Sequence, residues 1–360
     1  MNVFGTKHGH AVCVRPVYVL ACVAVVAMTA RSAVIVSAKD VIGDLSAPCS
    51  DAIQRLIDTN PNREIFFPDG IYLLDKPICT PADPRHSVSL RLSNYAVFRA
   101  TPSWTNVEAM VRLGGICPAN DIRTVGSCYF FEGGVLDGAG RAIGLSIDSG
   151  RETKVQDVSM KNVTMGIHIK HGANSNSSDA DISDVNIVGA DPESSVGVWV
   201  ESNDNTLSKM RIASVKVGVK LTGGGNLLSR IHPLCTGRMK SYDEGVGFLD
   251  FANGNHYDVC YSDHFSVGFR LRGTAVLHDC IVWWYAPNKG MPHTAIRCDG
   301  PFNSLVTNLQ IGFRDKDAVN TVLQVGKDGG KGFLWDVRVN ESLIRPEDTV
   351  FRSYLRGSLH

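Results

Sequence analysis

Apolar and polar residues alternate in short segments through the middle of the chain, and most of these segments open with a glycine in a Gly-apolar-x-apolar pattern. Successive copies start 22, 31, 21, 29, 21 and 27 residues apart. Alternation with a period of two is typical of a β-strand that has one buried face. The copies begin at Gly144, Gly166, Gly197, Gly218, Gly247, Gly268 and, in a degenerate form, Ala295.

A second short strand is predicted ahead of each copy, and asparagine or glycine commonly stands at the turn before it. The intervals of 21 residues leave no room for the helices that an α/β fold requires, and a β-propeller repeat is longer, at roughly 40 residues. Short repeats of this kind fit a solenoid whose turns bury their apolar faces against each other. These second strands include segments that start at Asp184, Lys209, Arg230, Val259 and Asp279, with turns at Asn205, Asn226 and Asn255.

The longer repeats carry their extra residues just before the Gly-apolar-x-apolar unit. Insertions are predicted at residues 189–196, 233–246, 285–294 and 314–320. Insertions at one place in a repeat project from one face of a solenoid and commonly build its binding surface. The pattern therefore predicts a groove walled by loops, which suits an extended polymer.

The N-terminal region, which precedes the repeats, has the pattern of an export signal. Lys7 and Arg15 precede an apolar run of about 14 residues, and small residues follow at Ser32–Ala33 and Ser37–Ala38. Such a run is short for a bilayer span and has the size of a signal-peptide core. We expect a signal peptide at residues 1–38 and a β-helix domain at residues 39–360. The mature protein is then secreted or periplasmic, without membrane attachment.

The balance of charged residues argues against two classes of binding partner. Lysine plus arginine equals aspartate plus glutamate, 36 each, so the chain has no basic excess that favours nucleic acid or an anionic membrane. Of 10 cysteines, Cys13 and Cys22 lie in the signal segment, which leaves eight. In an oxidising compartment, Cys117 with Cys128 and Cys49 with Cys79 are candidate disulfides. Cys260 and Cys280 align with Ile231 in the repeat and are expected to pack inside.

Two segments near the start of the domain resemble a known group. Asp51–Asp58 has an amphipathic helical pattern, and residues 66–73 read Phe-Phe-Pro-Asp-Gly-Ile-Tyr-Leu. Together with the repeat, they resemble the pectin-lyase-like superfamily over roughly residues 40–345. The resemblance implies an all-β fold, a single-stranded right-handed parallel β-helix with a short N-terminal capping helix.

The same resemblance implies a polysaccharide or oligosaccharide ligand, because the superfamily contains lyases, hydrolases, fructan transferases and phage adhesins. It also allows a homotrimer, since trimers occur in this superfamily. The polygalacturonase series of Asn-Thr-Asp, paired aspartates and Gly-His-Gly is missing. So are the calcium-binding aspartates and the Arg-Pro-x-x-Arg pattern of pectate lyases. No catalytic residue is therefore carried over from the superfamily.

Candidate site residues come from the repeat alignment, which brings acids, bases and aromatic rings to one surface. Catalytic candidates are Asp263, Glu244, Asp243 and His264. Substrate-binding candidates are Trp283, Trp284, Tyr285, Arg238, Lys240, His232, Lys289 and His293. Trp283 and Trp284 are adjacent on a strand and so face opposite ways; one belongs to the core and the other is exposed.

These residues fit two chemistries. Asp263 with Glu244 or Asp243 supplies the carboxylate pair of a glycoside hydrolase or an intramolecular, fructan-type transferase, which we favour. A base and a cation from Arg238, Lys240, His264 or His232 would instead serve β-elimination by a lyase acting on a uronate polymer. A non-catalytic glycan-binding or adhesin β-helix is the alternative from a different class.

No cofactor and no metal site is predicted. A second polar cluster runs from His168, Lys170 and His171 to Asp184, and its alternating carboxylates raise the option of calcium. The cluster lacks the turn glycine and the closing glutamate of a calcium loop. Asparagine-rich turns, stacked in a ladder, are the interpretation we favour there.

Overall fold

The computed structural model describes residues 35–81, 83, 86–114, 129–172, 177–284, 288–326, 330–340 and 342–343. Two helices stand at the start of this part, α1 (Ala38–Ile42) and α2 (Ser50–Thr59), and short strands make up most of the remainder. A 3-10 turn lies at Tyr242–Glu244. No helix of the described residues is both long and apolar enough to cross a membrane.

The strands of the N-terminal half are β1 (Ile35–Ser37), β2 (Glu64–Phe67), β3 (Gly70–Leu74), β4 (Ile78–Cys79), β5 (Ser89–Leu92), β6 (Ala96–Ala100), β7 (Ala109–Leu113), β8 (Phe130–Glu132), β9 (Val135–Asp137), β10 (Ile143–Ile147), β11 (Lys154–Gln156), β12 (Ser159–Val163), β13 (Met165–Ile169), β14 (Asp181–Ser183), β15 (Asn186–Gly189) and β16 (Val196–Val200).

The strands of the C-terminal half are β17 (Thr206–Ala213), β18 (Val217–Leu221), β19 (Leu227–Leu234), β20 (Val246–Asp250), β21 (Asn255–Asp258), β22 (Tyr261–Asp263), β23 (Val267–Leu271), β24 (Ala275–His278), β25 (Ile281–Trp284), β26 (His293–Cys298), β27 (Leu305–Thr307), β28 (Gln310–Phe313), β29 (Asn320–Val325), β30 (Phe333–Trp335), β31 (Arg338–Val339) and β32 (Ser342–Leu343).

Successive coils stack these strands into three parallel ladders, and the predicted parallel β-helix is confirmed. The Gly sheet, which contains the Gly-apolar-x-apolar units, runs β4, β7, β10, β13, β16, β18, β20, β23, β26, β29. The second ladder runs from β1 and β2 to β30, and the third from β3 to β31. The long strands β17 and β19 belong to both. Only β31 and β32 pair antiparallel among the described strands.

The glycines of the Gly sheet are required by the close approach of one coil to the next. A Cβ atom on Gly218 would lie 2.4 Å from the carbonyl oxygen of Gly247 and 2.4 Å from the ring of Pro233. The equivalent atom on Gly197 would lie 2.4 Å from the carbonyl oxygen of Gly218 and 2.4 Å from Ile212. Real Cβ atoms are not found at such distances from backbone. The repeat glycine therefore lets the third ladder pack tightly against the Gly sheet.

The interior of the coil is a stack of apolar side chains, one level per coil. Phe248 and Phe269 stack with ring centroids 4.7 Å apart, and Tyr257 meets Phe269 edge-on at 5.5 Å. Cys260 and Cys280 are fully buried, so the prediction that they pack inside is confirmed. Full burial of one large apolar side chain stabilises the fold by about 1.5–3 kcal/mol.

A ladder of asparagines closes the turn between the Gly sheet and the second ladder. The Asn205 Nδ2 donates to Asn226 Oδ1 at 3.0 Å, and Asn226 Nδ2 donates to Asn255 Oδ1 at 3.1 Å. Asn255 Nδ2 in turn donates to Asp250 Oδ1 at 3.0 Å. All of these side chains are buried, and each bond removes the cost of a buried amide without a partner. Asn174 and Asn176, part of the segment predicted to form such a ladder, lie outside the described residues.

From β11 onward, the corner between the second and third ladders is a single residue with positive φ in each coil. Asparagine and aspartate tolerate this left-handed conformation better than other non-glycine residues, whereas a β-branched residue is an outlier there. Val259 holds φ 53° at this corner and is exposed. The corner residues are Asp157, Asp184, Lys209, Arg230, Val259, Asp279, Asn308 and Asp336.

The helix α2 caps the open end of the solenoid, as predicted. Ile53, Leu56 and Ile57 are buried. The side-chain amide of Gln54 acts as a substitute strand: its Nε2 donates to the Cys79 carbonyl at 2.9 Å, and its Oε1 accepts from the Cys79 N–H at 2.8 Å. These two bonds give hydrogen-bond partners to the backbone N–H and carbonyl of Cys79, at the free edge of the Gly sheet.

One of the two candidate disulfides is contradicted by the structure. Cys49 and Cys79 are free thiols, so the prediction of a disulfide between them is wrong. The Cys49 thiol instead donates to the Leu73 carbonyl at 3.4 Å, and burial raises its pKa to about 11. Cys117 and Cys128 lie outside the described residues.

Replacing Val259 by asparagine should stabilise the protein by about 1 kcal/mol, because it relieves the left-handed strain of a β-branched residue. Thermal unfolding of the whole chain measures the change. Val319→Asn is the matched control, since Val319 is also exposed but has no positive φ. An equal effect of both substitutions would contradict the assignment of strain to the corner.

The strand β1 lies within the predicted signal segment. Its position affects where we expect the signal peptide to be cleaved. Ile35 and Ser37 pair in parallel with Glu64 and Phe66, and Ala38 is fully buried. Cleavage after Ala38 would remove this outermost strand, so we expect cleavage after Ala33 on export. Intact-mass analysis of the secreted protein tests this. A mature chain that starts at Lys39 would contradict it.

Candidate functional site

The predicted insertions do meet along one edge, between the third ladder and the Gly sheet, and hydrogen bonds tie them together. The Glu193 carboxylate accepts from the Lys240 N–H at 2.6 Å and from the Ser241 hydroxyl at 2.7 Å. The Tyr242 hydroxyl bonds His293 Nδ1 at 2.7 Å, and His293 Nε2 lies 3.1 Å from Asp315 Oδ2. The wall of the predicted groove is thus a bonded structure rather than separate loops.

The structure places most of the predicted charged residues on the outside of this wall. Arg238, Lys240 and Asp243 are exposed or half-buried. Glu244 is exposed and forms an ion pair with Lys216, and Lys289 forms one with Asp317 at 2.9 Å. Among the described residues, no hydrogen bond or ion pair joins Glu244 or Asp243 to Asp263. The predicted carboxylate pair is therefore not assembled by direct contact.

Asp263 is held between two histidines at the end of β22. Its carboxylate contacts His264 Nδ1, and it lies 3.4 Å from His232 Nε2. The His232 ring stacks on Tyr261 with centroids 4.2 Å apart. Burial pushes the pKa of Asp263 up, but the hydrogen bonds from His232 and His264 outweigh it, and the net pKa is lowered. Asp263 is thus an anion that fixes two imidazoles.

Two of the predicted substrate-binding residues have side chains that point inward, and for the tryptophan pair this identifies the member that belongs to the core. Trp284 is 1% exposed, stacks on Phe313 at 5.0 Å and donates its indole N–H to the Phe265 carbonyl. His293 is 2% exposed and binds Asp315 inside the loop wall. Trp283, on the opposite face of the strand, is half-buried with the Arg314 guanidinium 4.9 Å from its ring centroid. Tyr285 lies outside the described residues.

A second cluster, which the sequence prediction did not identify as a site, lies on the outer face of the Gly sheet. Strand register aligns five residues in one outward column, namely Arg112, Ser146, His168, Trp199 and Lys220. Their strand neighbours face the core, so these side chains face out.

Two positions further along the chain, the same coils add a second outward column. Asp148, Lys170 and Glu201 follow strands β10, β13 and β16 directly. We call the two columns together, with the neighbouring Glu108, the Gly-sheet cluster.

Charges of both signs are interlocked in the Gly-sheet cluster. The Arg112 guanidinium donates to Asp148 Oδ2 through Nε at 3.0 Å and through Nη2 at 2.9 Å. The Lys170 ammonium lies 2.6 Å from Glu108 Oε2 and 3.4 Å from Asp148. His168 Nε2 lies 3.3 Å from Glu201 Oε1. The contacts of Arg112 and Lys170 are charge-assisted hydrogen bonds, which fix these side chains strongly, whereas His168 Nε2 forms no hydrogen bond within the described residues.

Flat side chains stack along the first column. The rings of His168 and Trp199 are parallel with centroids 4.6 Å apart, and the Lys220 ammonium lies 3.7 Å from the Trp199 centroid on the next coil. Burial lowers the pKa of His168, although nearby Glu201 opposes this, and His168 is therefore neutral at pH 7. A hydrogen bond from Lys170 lowers the pKa of Glu108. The cluster thus holds a neutral base among carboxylates and cations.

Ser146 sits in the centre of the first column without a hydrogen-bond partner among the described residues. It is fully buried, between Arg112 and His168 in the register. Most buried hydroxyls in proteins have a hydrogen-bond partner, so one without a partner calls for an explanation.

A signal for this cluster is present in the sequence. Apart from Arg112, the residues of the first column are the x positions of the Gly-apolar-x-apolar unit. Along a single segment, His168 and Lys170 suggest only the calcium option. No group of residues in the described part of the chain has the arrangement of a metal site. Reading the x positions across coils, rather than along one segment, would have found the column.

The backbones of the two carboxylate residues of the cluster are separated by a distance close to the carboxyl separation of one class of glycosidase. Asp148 and Glu201 stand at equivalent positions two coils apart, and two strand spacings amount to about 9.5 Å between backbones. Inverting glycosidases hold their two carboxyl groups roughly 6.5–9.5 Å apart. Lys170 stands on the coil between them.

The pKa of His168 provides a check of this geometry. Trp199→Ala should raise it toward the ordinary 6.5, because the substitution removes part of the burial. Glu201→Gln should lower it further, because the charge that favours the imidazolium is gone. A pH titration of the imidazole by NMR measures both, with exposed His278 as the internal control. A pKa of His168 that neither substitution moves would contradict the stacked arrangement.

No family model and no curated protein matches the chain. Solved structures do resemble it. An alginate lyase from Paenibacillus sp. str. FPU-7 has a TM-score of 0.58 at 13% identity, covering 81% of this chain and 98% of the lyase. An endo-xylogalacturonan hydrolase from Aspergillus tubingensis has a TM-score of 0.57 at 14% identity, covering 86% and 94%.

A tailspike protein of E. coli bacteriophage HK620 has a TM-score of 0.62 at 12% identity, and the match covers 84% of this chain and 63% of the tailspike. At these identities the likeness concerns the fold. The chain has a right-handed parallel β-helix fold, which it shares with these solved structures.

Proposed function

We propose that the protein is a glycan-cleaving enzyme that acts on a polysaccharide lying across the outer face of the Gly sheet. The observation that carries the proposal is the Gly-sheet cluster, in which buried Asp148 and half-buried Glu201 flank Lys170 and His168 on consecutive coils. Three solved structures with this fold are named as an alginate lyase, a xylogalacturonan hydrolase and a phage tailspike, which supports a polysaccharide substrate.

Hydrolysis fits the cluster best. Asp148, held by Arg112 and Lys170, acts as the carboxylate base that activates a water molecule. Glu201, whose side chain is 28% exposed, protonates the leaving oxygen. After each turnover Asp148 releases its proton to solvent, and Glu201 regains one from solvent by way of His168, whose Nε2 lies 3.3 Å from it. Arg112 and Lys170 hold Asp148 in place while the sugar binds.

Elimination is the second candidate, because one observation favours it. Burial keeps His168 neutral, and it is followed two residues later by the Lys170 ammonium on the same face. A neutral base beside a cation is what proton abstraction next to a uronate carboxylate requires. In that mechanism His168 removes the proton and Lys170 neutralises the carboxylate.

Product analysis separates these reactions. The purified protein is incubated with neutral and acidic polysaccharides, and both reducing ends and absorbance near ~235 nm are followed, since eliminated uronates absorb there. We expect new reducing ends without that absorbance, as hydrolysis requires. Absorbance growing with the reducing ends would show the lyase reaction. Retention of a glycan with no product at all would show a binding protein and contradict the proposal.

Matched variants locate the site. Asp148→Asn and Glu201→Gln should each lower kcat by at least about 100-fold, because each removes a group that transfers a proton. Asp243→Asn and Glu244→Gln, at the loop wall, are the controls and should leave kcat within a few-fold. Loss of turnover in the controls with normal turnover in the first pair would place the reaction at the loop wall instead.

A further inference from the structure

A long groove follows the corner between the second and third ladders. Two adjoining clefts of about 560 and 530 Å³ share Asn186, Arg211 and His232, and a third continues toward Arg91. We call this the corner groove. It crosses the coils from Arg91 to Tyr261, and at one strand spacing per coil its length is roughly 30 Å. A groove that runs along the solenoid axis suits an extended polymer.

The corner groove lies apart from the Gly-sheet cluster. In each coil the chain passes from the second ladder through the corner to the third ladder, then through the loop wall to the Gly sheet. The full width of the third ladder and the loop wall therefore separate the two surfaces on one side. A ligand in the corner groove does not contact Asp148, Lys170 or Glu201.

Charge is unevenly distributed along the corner groove. The N-terminal half carries charges of both signs, namely Arg91, Glu132, Asp157 and Lys161, whereas the C-terminal half carries Lys209, Arg211 and Arg230. Lys209 forms an ion pair with Asp184 at 3.3 Å. Arg211 and Arg230 are exposed, and neither has an acidic partner among the described residues. Two guanidinium groups on neighbouring coils are thus left with unused donors.

The end of this basic half is a fixed aromatic pair. His232 follows Arg211 in the strand register and stacks on Tyr261. Buried Asp263 holds the His232 ring from behind, at 3.4 Å from Nε2. The contact gives Asp263 a role other than catalysis, because it positions His232 at the groove.

We propose that the basic half of the corner groove, from Lys209 to Tyr261, binds an acidic polysaccharide through the carboxylates of its sugars. Guanidinium groups form paired hydrogen bonds with carboxylates, and Arg211 and Arg230 present two such groups on successive coils. The site is a docking surface distinct from the proposed cleavage site. It does not depend on turnover at the Gly sheet.

Calorimetric titration with a polygalacturonate oligosaccharide of about ten sugars tests the site. The Asp148→Asn/Glu201→Gln protein is used so that the oligosaccharide is not consumed. Arg211→Gln/Arg230→Gln is added to it, and Arg55→Gln/Arg63→Gln is the control, because it removes the same charge from two exposed positions near the capping helix. We expect the groove substitutions to remove one binding site per chain, and the control to remove none.

The number of sites distinguishes this proposal from the proposed function. A fall from two sites to one means that both surfaces bind, and a fall from one to none means that only the corner groove binds this polymer. Unchanged stoichiometry and affinity would overturn the proposal, as would an equal loss in the control. Light scattering with the same variants tests whether a second copy of the chain occupies the corner groove instead. If the substitutions dissociate an oligomer, the corner is an interface between copies and the proposal is wrong.

Discussion

The spacing of one hydrogen-bonded strand per coil is the constraint on which the rest of the structure depends. Each coil must repeat the same turns at the same distance from its neighbour, so each position becomes a column along the axis. Inward columns are apolar. The column that touches the next coil's backbone is glycine, where a Cβ on Gly218 would meet the Gly247 carbonyl at 2.4 Å. The turn column is asparagine, which satisfies buried amides from one coil to the next.

The same constraint builds the functional surfaces. Outward positions are free to vary, and alignment on neighbouring coils brings residues far apart in sequence within contact, as in the pair of Arg112 and Asp148. On the Gly sheet the outward columns combine carboxylates, cations and a neutral histidine, which are the groups that acid–base catalysis requires. At the corner they combine unpaired arginines with a fixed imidazole, which are groups that bind anions. One scaffold thus carries two surfaces of different chemistry.

The fold could be predicted from sequence because its columns impose periodic residue types. The Gly-apolar-x-apolar units, the capping helix and the insertions at one edge all lie where the spacing predicts them. The site could not be predicted in the same way. Sequence alternation says that Trp283 and Trp284 face opposite ways, but only packing against Phe313 shows that Trp284 is inside. Likewise, the sequence predicts Asp263 and Glu244 on one surface, yet their partners are His232 and Lys216.

The Gly-sheet cluster escaped prediction because its members are isolated polar residues within apolar strands. Only the strand register, which aligns His168 with Trp199 and Ser146, brings them together. A crystal structure of the Asp148→Asn/Glu201→Gln protein with a bound oligosaccharide is the most direct test of its role. The account predicts sugar rings across the outer face of the Gly sheet, within hydrogen-bonding distance of both substituted residues. Sugar bound at the loop wall beside Asp263, with the Gly sheet empty, would contradict it.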